Sequence, residues 1–250
     1  MERIILIETS TALCSVALAE DGAVKAYRES SAPKAHASLT AVFVQEVLEE
    51  RGVTLADCDA VCVSMGPGSY TGLRVGVSTA KGLCFGANKP LLAVGTLDTL
   101  VAQASFSSIE AEANVEPRSG LYPRAAASTE ENDGYRYIVP MIDARRMEVY
   151  AAVFENGKQI TETAPAIIDE NSYAEYLEQG PVLFIGDGAG KCADVIKHPN
   201  AQFCQCHPKA STMLQPAIEA LRKEDFKDVA YFEPFYLKEF VATISKKKLF

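Results

Sequence analysis

Glycines, isolated carboxylates and scattered histidines are the residues of this chain whose types and spacing bear on chemistry. Metal-assisted catalysis needs grouped imidazole and carboxylate ligands. The three histidines, His36, His198 and His207, are too far apart in sequence for any two to share a helix face. Cys204, Cys206 and His207 are neighbours, but Cys-x-Cys-His falls short of a zinc-ligand spacing. Nucleophilic chemistry fares no better. Ser64, Ser69 and Cys62 have no histidine near them in sequence, and no Gly-x-Ser-x-Gly occurs. Phosphate binding has more to work with. Gly66, Pro67, Gly68, Ser69, Tyr70, Thr71 and Gly72 follow an apolar run and precede a helical segment, where backbone N–H groups can face an anion. Yet no Gly-Lys-Ser/Thr follows, and Thr71 stands where a G-x-G-x-x-G loop would need its last glycine. A second loop of this kind holds Gly186, Gly188 and Gly190.

Two carboxylates complete this set. Glu8 and Asp143 each follow an apolar run with the look of a strand, and Ser10 and Arg145 lie two residues beyond them. Glu8, Ser10, Asp143, Arg145, Gly186 and Gly188 form a candidate set, whose reading as a degenerate nucleotide cleft is what the resemblance described below implies. Ser10 places a Cβ where a phosphate would need close backbone approach. The residues predict no catalytic group, no metal site and no cofactor.

The elements that position these residues come twice in the same order. Residues 4–7, 14–19 and 23–28 read as strands, with Asp21-Gly22 as a hairpin turn. A helix over 36–50, a strand over 60–65, the Gly-rich loop and a helix from Gly72 follow. Residues 91–94 read as a strand, and Thr96 opens a helix to about residue 104. In the second half, strands are predicted over 137–142, 148–154 and 158–161, the last two separated by Asn156-Gly157. A helix over 172–178, a strand over 182–185 and a Gly-rich loop before a helix repeat the first half's order. A helix after residue 211 and a segment over 232–240 end the reading. Boundaries fall at 1–104 for an N-terminal lobe, 105–134 for an irregular insertion and 135–250 for a C-terminal lobe, whose last segment is a candidate to pack back on the first. The fold class is α/β, a duplicated two-lobe arrangement with mixed sheets flanked by helices.

Composition narrows the function. The 250 residues carry a formal charge of −9, which opposes broad nucleic-acid binding. The one basic run is Lys246, Lys247 and Lys248. No apolar run is long enough to span a bilayer, and the apolar stretch at the N-terminus is too short for a signal peptide. The seven cysteines, an odd number set partly in apolar stretches, read as free thiols. A soluble cytoplasmic protein is expected.

Two helices suggest a partner. Between Leu39 and Leu48 seven of ten residues are apolar, more than a single buried stripe requires. The next helix carries Gly72, Gly76, Ala80 and Cys84 at every fourth position, a ridge of small residues that lets another element approach. His36, Leu39, Phe43, Val47, Gly72, Leu73, Gly76, Val77, Ala80 and Lys81 are the candidate interface. Two such helices meeting two from another chain would form a four-helix contact.

The repeated order resembles the actin, Hsp70 and hexokinase superfamily. More narrowly, residues 7–11 (Ile-Glu-Thr-Ser-Thr), residues 66–76 (Gly-Pro-Gly-Ser-Tyr-Thr-Gly-Leu-Arg-Val-Gly), Ala80-Lys81-Gly82-Leu83, residues 142–146 (Ile-Asp-Ala-Arg-Arg), Glu148-Val149-Tyr150 and Tyr236-Leu237-Lys238 are similar to the TsaB (YeaZ) family. The resemblance implies a non-catalytic subunit in tRNA threonylcarbamoyladenosine formation. Its implied partners are the paralogous transferase TsaD and the P-loop ATPase TsaE, with a homodimer when the chain is alone and tRNA touched only indirectly. TsaD carries a helical pair of metal-binding histidines, whereas here His36 is followed by Thr40. The competing readings are a small-molecule kinase or ATP-binding hydrolase of the same superfamily, and a self-sufficient homodimeric binding protein.

Overall fold

The computed structural model describes residues 2–112 and 135–238, with the backbone alone for 105–112. The first half forms β1 (Arg3–Glu8), β2 (Cys14–Glu20), β3 (Ala23–Ser30), α1 (Ala35–Arg51), β4 (Ala60–Gly66), α2 (Tyr70–Ala87), β5 (Leu91–Gly95) and α3 (Thr96–Glu112). The second half forms β6 (Tyr137–Asp143), β7 (Glu148–Ala151), β8 (Phe154–Glu155), β9 (Lys158–Gln159), β10 (Ala164–Ile167), α4 (Ala174–Leu177), β11 (Val182–Gly186), α5 (Ala189–Cys192), β12 (Ala201–Gln205) and α6 (Leu214–Arg222).

The two sheets share one plan. The first runs β3-β2-β1-β4-β5, and the main path of the second runs β10-β7-β6-β11-β12. In each, an antiparallel meander is extended by two parallel strands, β4 then β5 and β11 then β12. Strand alternation divides the first sheet's residues between two cores. Ile5, Ile7, Val16, Leu18, Val61 and Val63 face α1 and α2. Ile4, Leu6, Ala17, Ala19, Ala60 and Cys62 face the other way, onto Met213, Leu214, Ala217 and Ile218. Buried on both faces, these strands read as unbroken apolar runs.

The halves exchange their last helices. Leu97, Leu100, Val101 and Ala104 recur at helical spacing, and they pack on Ile138, Ile142, Leu183 and Ile185 of the second sheet. α6, at the end of the second half, covers the first sheet, and full burial of Leu214 and Ile218 there contributes about 1.5–3 kcal/mol each.

Five points differ from or add to the sequence reading. α3 continues to Glu112, so the first eight residues of the supposed insertion are helical; residues 113–134 lie outside the described residues. The third strand of the second meander is β10, not residues 158–161. Strand pairing along 148–154 breaks at Ala152 and Val153, and β8 and β9 form a short hairpin around Asn156-Gly157. β12 pairs with β11 although no strand was predicted at Ala201–Gln205, whose alternation of Phe203 with Gln202 and Gln205 is weakly apolar. The segment read over 232–240 has no regular element through Lys238, and its last two residues lie outside the described residues.

Candidate functional site

The end of β1 is closed off by the chain itself. Glu8, Thr9 and Ser10 are fully buried. The Ser10 backbone N–H donates to Glu8 Oε1 at 2.7 Å, while Glu8 Oε2 and the hydroxyls of Thr9, Ser10 and Thr11 have no partner among the described residues. Burial pushes the Glu8 carboxyl above its ordinary value, against the opposing hydrogen bond from the Ser10 N–H. The Gly-rich loop lies directly on this strand end. The Ser69 N–H donates to the Ser10 carbonyl at 2.6 Å. A Cβ at Gly68 would stand 2.4 Å from that same oxygen, and one at Gly72 would stand 2.1 Å from the Thr9 carbonyl. These glycines let loop and strand touch, with the carbonyls of Thr9 and Ser10 directly against Gly72 and Gly68.

The second half repeats the contact. A Cβ at Gly186 would fall 2.2 Å from the Met141 carbonyl, and one at Gly188 would fall 2.9 Å from Val149. Asp187 Oδ1 accepts the Asp143 backbone N–H at 2.9 Å, and burial raises the Asp187 carboxyl despite that bond. Asp143 pairs with Lys191 inside its own half. Arg145 and Arg146 are exposed and make no ion pair among the described residues. The six cleft candidates thus fall into two groups, Glu8 with Ser10 and Asp143 with Arg145, Gly186 and Gly188, each bound up with its own sheet.

The two-helix face differs from its prediction in detail. α1 and α2 lie on one side of the first sheet, so their sheet-distal sides point the same way. Phe43, Val47, Leu73, Val77 and Ala80 are buried in the chain's own core, and Gly72 and Gly76 are buried with them. A Cβ at Gly76 would sit 2.1 Å from Thr9 Oγ1, so the ridge at residues 72, 76, 80 and 84 meets strands of this chain and not a partner. Leu39 is half-buried on the same core. His36 is half-buried, and its Nε2 has no partner among the described residues. Lys81 holds the chain's own C-terminal segment, donating to the carbonyls of Ala230 at 3.0 Å and Phe232 at 3.1 Å.

The open face belongs to other residues. Val42 is 43% exposed on α1 and Phe85 is 85% exposed on α2. Ser78, Gly82 and Gly86 form a second small ridge at every fourth position, and all three are exposed. A Cβ at Gly82 or Gly86 would meet nothing within 4 Å. Lys81, Gly82 and Phe85 with Asp228, Val229 and Ala230 line a shallow hollow of about 630 Å³, beside which Tyr231 is 85% exposed. The i, i+4 spacing of residues 78, 82 and 86 was visible in the sequence; which of two ridges faced inward was not.

Residues 226–238 strap these features together. Phe235 N–H donates to the Met65 carbonyl at 2.7 Å, and the Tyr236 ring lies 4.8 Å from that of Tyr70. Lys238 pairs with Glu148 of the second half. Cys204 and Cys206, both free, stand side by side, with Cys206 behind the Gly186 loop. No helix among the described residues is long and apolar enough to cross a membrane.

Two halves of one plan, with exchanged helices and a Gly-rich loop folded onto the first strand of each, define a duplicated two-lobed α/β protein with mixed sheets flanked by helices. Comparison with known proteins narrows this. Residues 29–128 match the family model described as TsaD: tRNA N6-adenosine threonylcarbamoyltransferase. The tRNA threonylcarbamoyladenosine biosynthesis protein TsaB of Escherichia coli (strain K12) is 31% identical over 96% of this chain and 96% of its own length. The protein of the same name from Bacillus subtilis (strain 168) is 30% identical over 73% of this chain and 70% of its own. The solved structure of YeaZ from Pseudomonas aeruginosa superposes with a TM-score of 0.74 at 25% identity, covering 95% of this chain and all (100%) of that one. The chain belongs to the TsaB (YeaZ) family, whose members serve tRNA threonylcarbamoyladenosine biosynthesis.

Proposed function

We propose that this chain is a non-catalytic subunit of the tRNA threonylcarbamoyladenosine pathway, binding a TsaD-like threonylcarbamoyltransferase through the outer face of α1 and α2. The observation that carries this reading is the pair Gly82 and Gly86. A glycine inside a helix costs about 1 kcal/mol relative to alanine. Gly72 and Gly76 answer that cost with close contact to β1, whereas the surroundings of Gly82 and Gly86 are empty. A helix from outside the chain, approaching between Phe85 and Val42, gives them the same use. The paralogous relation supports the partner's identity: a tRNA N6-adenosine threonylcarbamoyltransferase from Sphingopyxis alaskensis is 48% identical over 27% of this chain. Related lobes with like surfaces suit a pseudo-symmetric pairing, and in the partner's absence the same face suits a second copy of this chain. A TsaE-like ATPase docks on the assembled pair.

The absence of catalysis is supported by the tight seating of the Gly-rich loop on Thr9 and Ser10, which leaves Gly68 and Gly72 in contact with their carbonyls. Reconstitution tests the whole reading. The chain is mixed with the threonylcarbamoyltransferase of its own organism, the TsaE-like ATPase and a tRNA transcript, and modified adenosine is counted. Dependence on this chain, with no ATP or metal bound by the chain alone, is expected. Full modification without it, or stoichiometric ATP on the isolated chain, would defeat the proposal.

A further inference from the structure

Three places among the described residues hold two consecutive residues in the left-handed backbone region: Asp21-Gly22, Asn156-Gly157 and Arg145-Arg146. The first two use the residue types that adopt this conformation most readily. The third uses two arginines, at φ 71° and 51°. Each has a Cβ that disfavours that region. Internal packing gives no reason for them. Both side chains are exposed, and neither guanidinium has an ion pair or hydrogen bond among the described residues.

The hairpin beneath them is firmly built. The Ala144 N–H donates to the Glu148 carbonyl at 3.0 Å, and the Arg145 N–H donates to Asp143 Oδ1 at 2.9 Å. The nearby carboxylates are already engaged, Asp143 by Lys191 and Glu148 by Lys238. The tip therefore presents two uncompensated positive charges on a chain whose net charge is −9. An aromatic pair stands beside it. Two residues before Lys238, the Tyr236 ring meets Tyr70 at 4.8 Å, and the Arg74 guanidinium lies 5.5 Å from the centre of the Tyr70 ring. One continuous edge thus runs from Arg74 through Tyr70 and Tyr236 to the Lys238–Glu148 pair and the arginine tip.

We infer that this edge is an RNA contact, with Arg145 and Arg146 on backbone phosphates and the Tyr70–Tyr236 pair against a base or ribose. A guanidinium fork matches phosphate oxygens in pairs, and the half-buried ring pair flanking it offers an aromatic edge to a base or ribose. Carboxylates of an acidic protein would also satisfy the arginines, and the protein-association arm of the test below separates that partner from RNA. The identification of the RNA as tRNA rests on the function proposed above. The acidity of the chain excludes a grip over its whole surface, not a single contact beside a partner that supplies the rest.

The test replaces the tip with residues suited to its backbone, Arg145→Asn with Arg146→Gly. This variant keeps the turn and removes both charges, so its melting temperature should equal or exceed that of the parent. Binding of a tRNA transcript is titrated with the full chain alone and with its assembly on the threonylcarbamoyltransferase, at several salt concentrations. The assembly carrying the variant should bind tRNA about tenfold more weakly at moderate salt, and the slope of log affinity against log salt should shrink by about 1.5 to 2. Association between the two proteins should not change. An unchanged affinity and slope would overturn the inference, as would loss of protein association instead of RNA affinity, which would make the tip a protein contact. If the two proteins do not associate at all, the proposed function fails, and the titration on the chain alone still decides the RNA contact by the same comparison.

Discussion

Gly76 and Gly82 sit six residues apart on one helix and should respond to the same substitution with opposite signs. Gly76→Ala forces a methyl group toward Thr9 Oγ1, 2.1 Å away, and should destabilise the chain by about 1–3 kcal/mol. Gly82→Ala meets nothing within 4 Å and should stabilise it by up to about 1 kcal/mol through helix propensity. Urea unfolding of the two variants measures both. Glu8 provides a test through pH. Its folded pKa lies above the ordinary 4.5 because burial favours the neutral form. The folded state then holds a proton that the unfolded chain has released, so this contribution is complete below that value and is lost as pH rises toward the folded pKa. Glu8→Gln should remove that decline. Its unfolding midpoint should vary less than the parent's as pH rises above the ordinary carboxylate range, and equal slopes would mean that burial does not raise the Glu8 carboxyl. Residue by residue, the sequence displayed Glu8 and the glycine loops plainly. It did not display that the first loop seats on Thr9 and Ser10, because that depends on the distance between two strand ends far apart in the chain.

At the scale of elements, the C-terminal strap has the most to explain, since residues 223–238 form no helix or strand and yet hold α2. Lys81 gives its ammonium to two carbonyls of this strap, and Val229 and Phe232 pack on the core beneath. Lys81→Met should cost about 1–2 kcal/mol and should speed protease cleavage within residues 223–238 before any elsewhere. Cleavage at the parent's rate would show that the strap is held by its apolar contacts alone. The strap escaped sequence reading because nothing periodic marks it. The strands β1, β2 and β4 and the helices α1 and α2 were legible for the opposite reason: apolar runs buried on two faces, bounded by Gly52 and Asp21-Gly22. β12, alternating between half-buried and exposed residues, gave a weak signal, and α3 outran its apolar stripe because backbone hydrogen bonding continued beyond it.

On the scale of the whole molecule, the repeated strand and helix order disclosed the two-lobed plan, and the last segment was a candidate to return to the first lobe, whereas the crossing of α3 to the second sheet did not show. Any amphipathic helix fits either sheet until three-dimensional connection decides. The same ambiguity affected the binding face. Both small-residue ridges of α2 have period four, and burial alone separates the one facing Thr9 from the one facing outward. The proposed partner surface therefore consists of Val42, Ser78, Gly82, Phe85 and Gly86, a different set from the ten residues the sequence singled out on the same two helices. The most direct measurement is the affinity of this chain for the threonylcarbamoyltransferase of its own organism, by calorimetry or light scattering, with Gly82→Leu and Phe85→Glu combined. The account requires a one-to-one complex for the parent and at least a hundredfold weaker one, about 2.7 kcal/mol, for a variant whose own melting temperature is maintained. Undiminished affinity in that variant would contradict it.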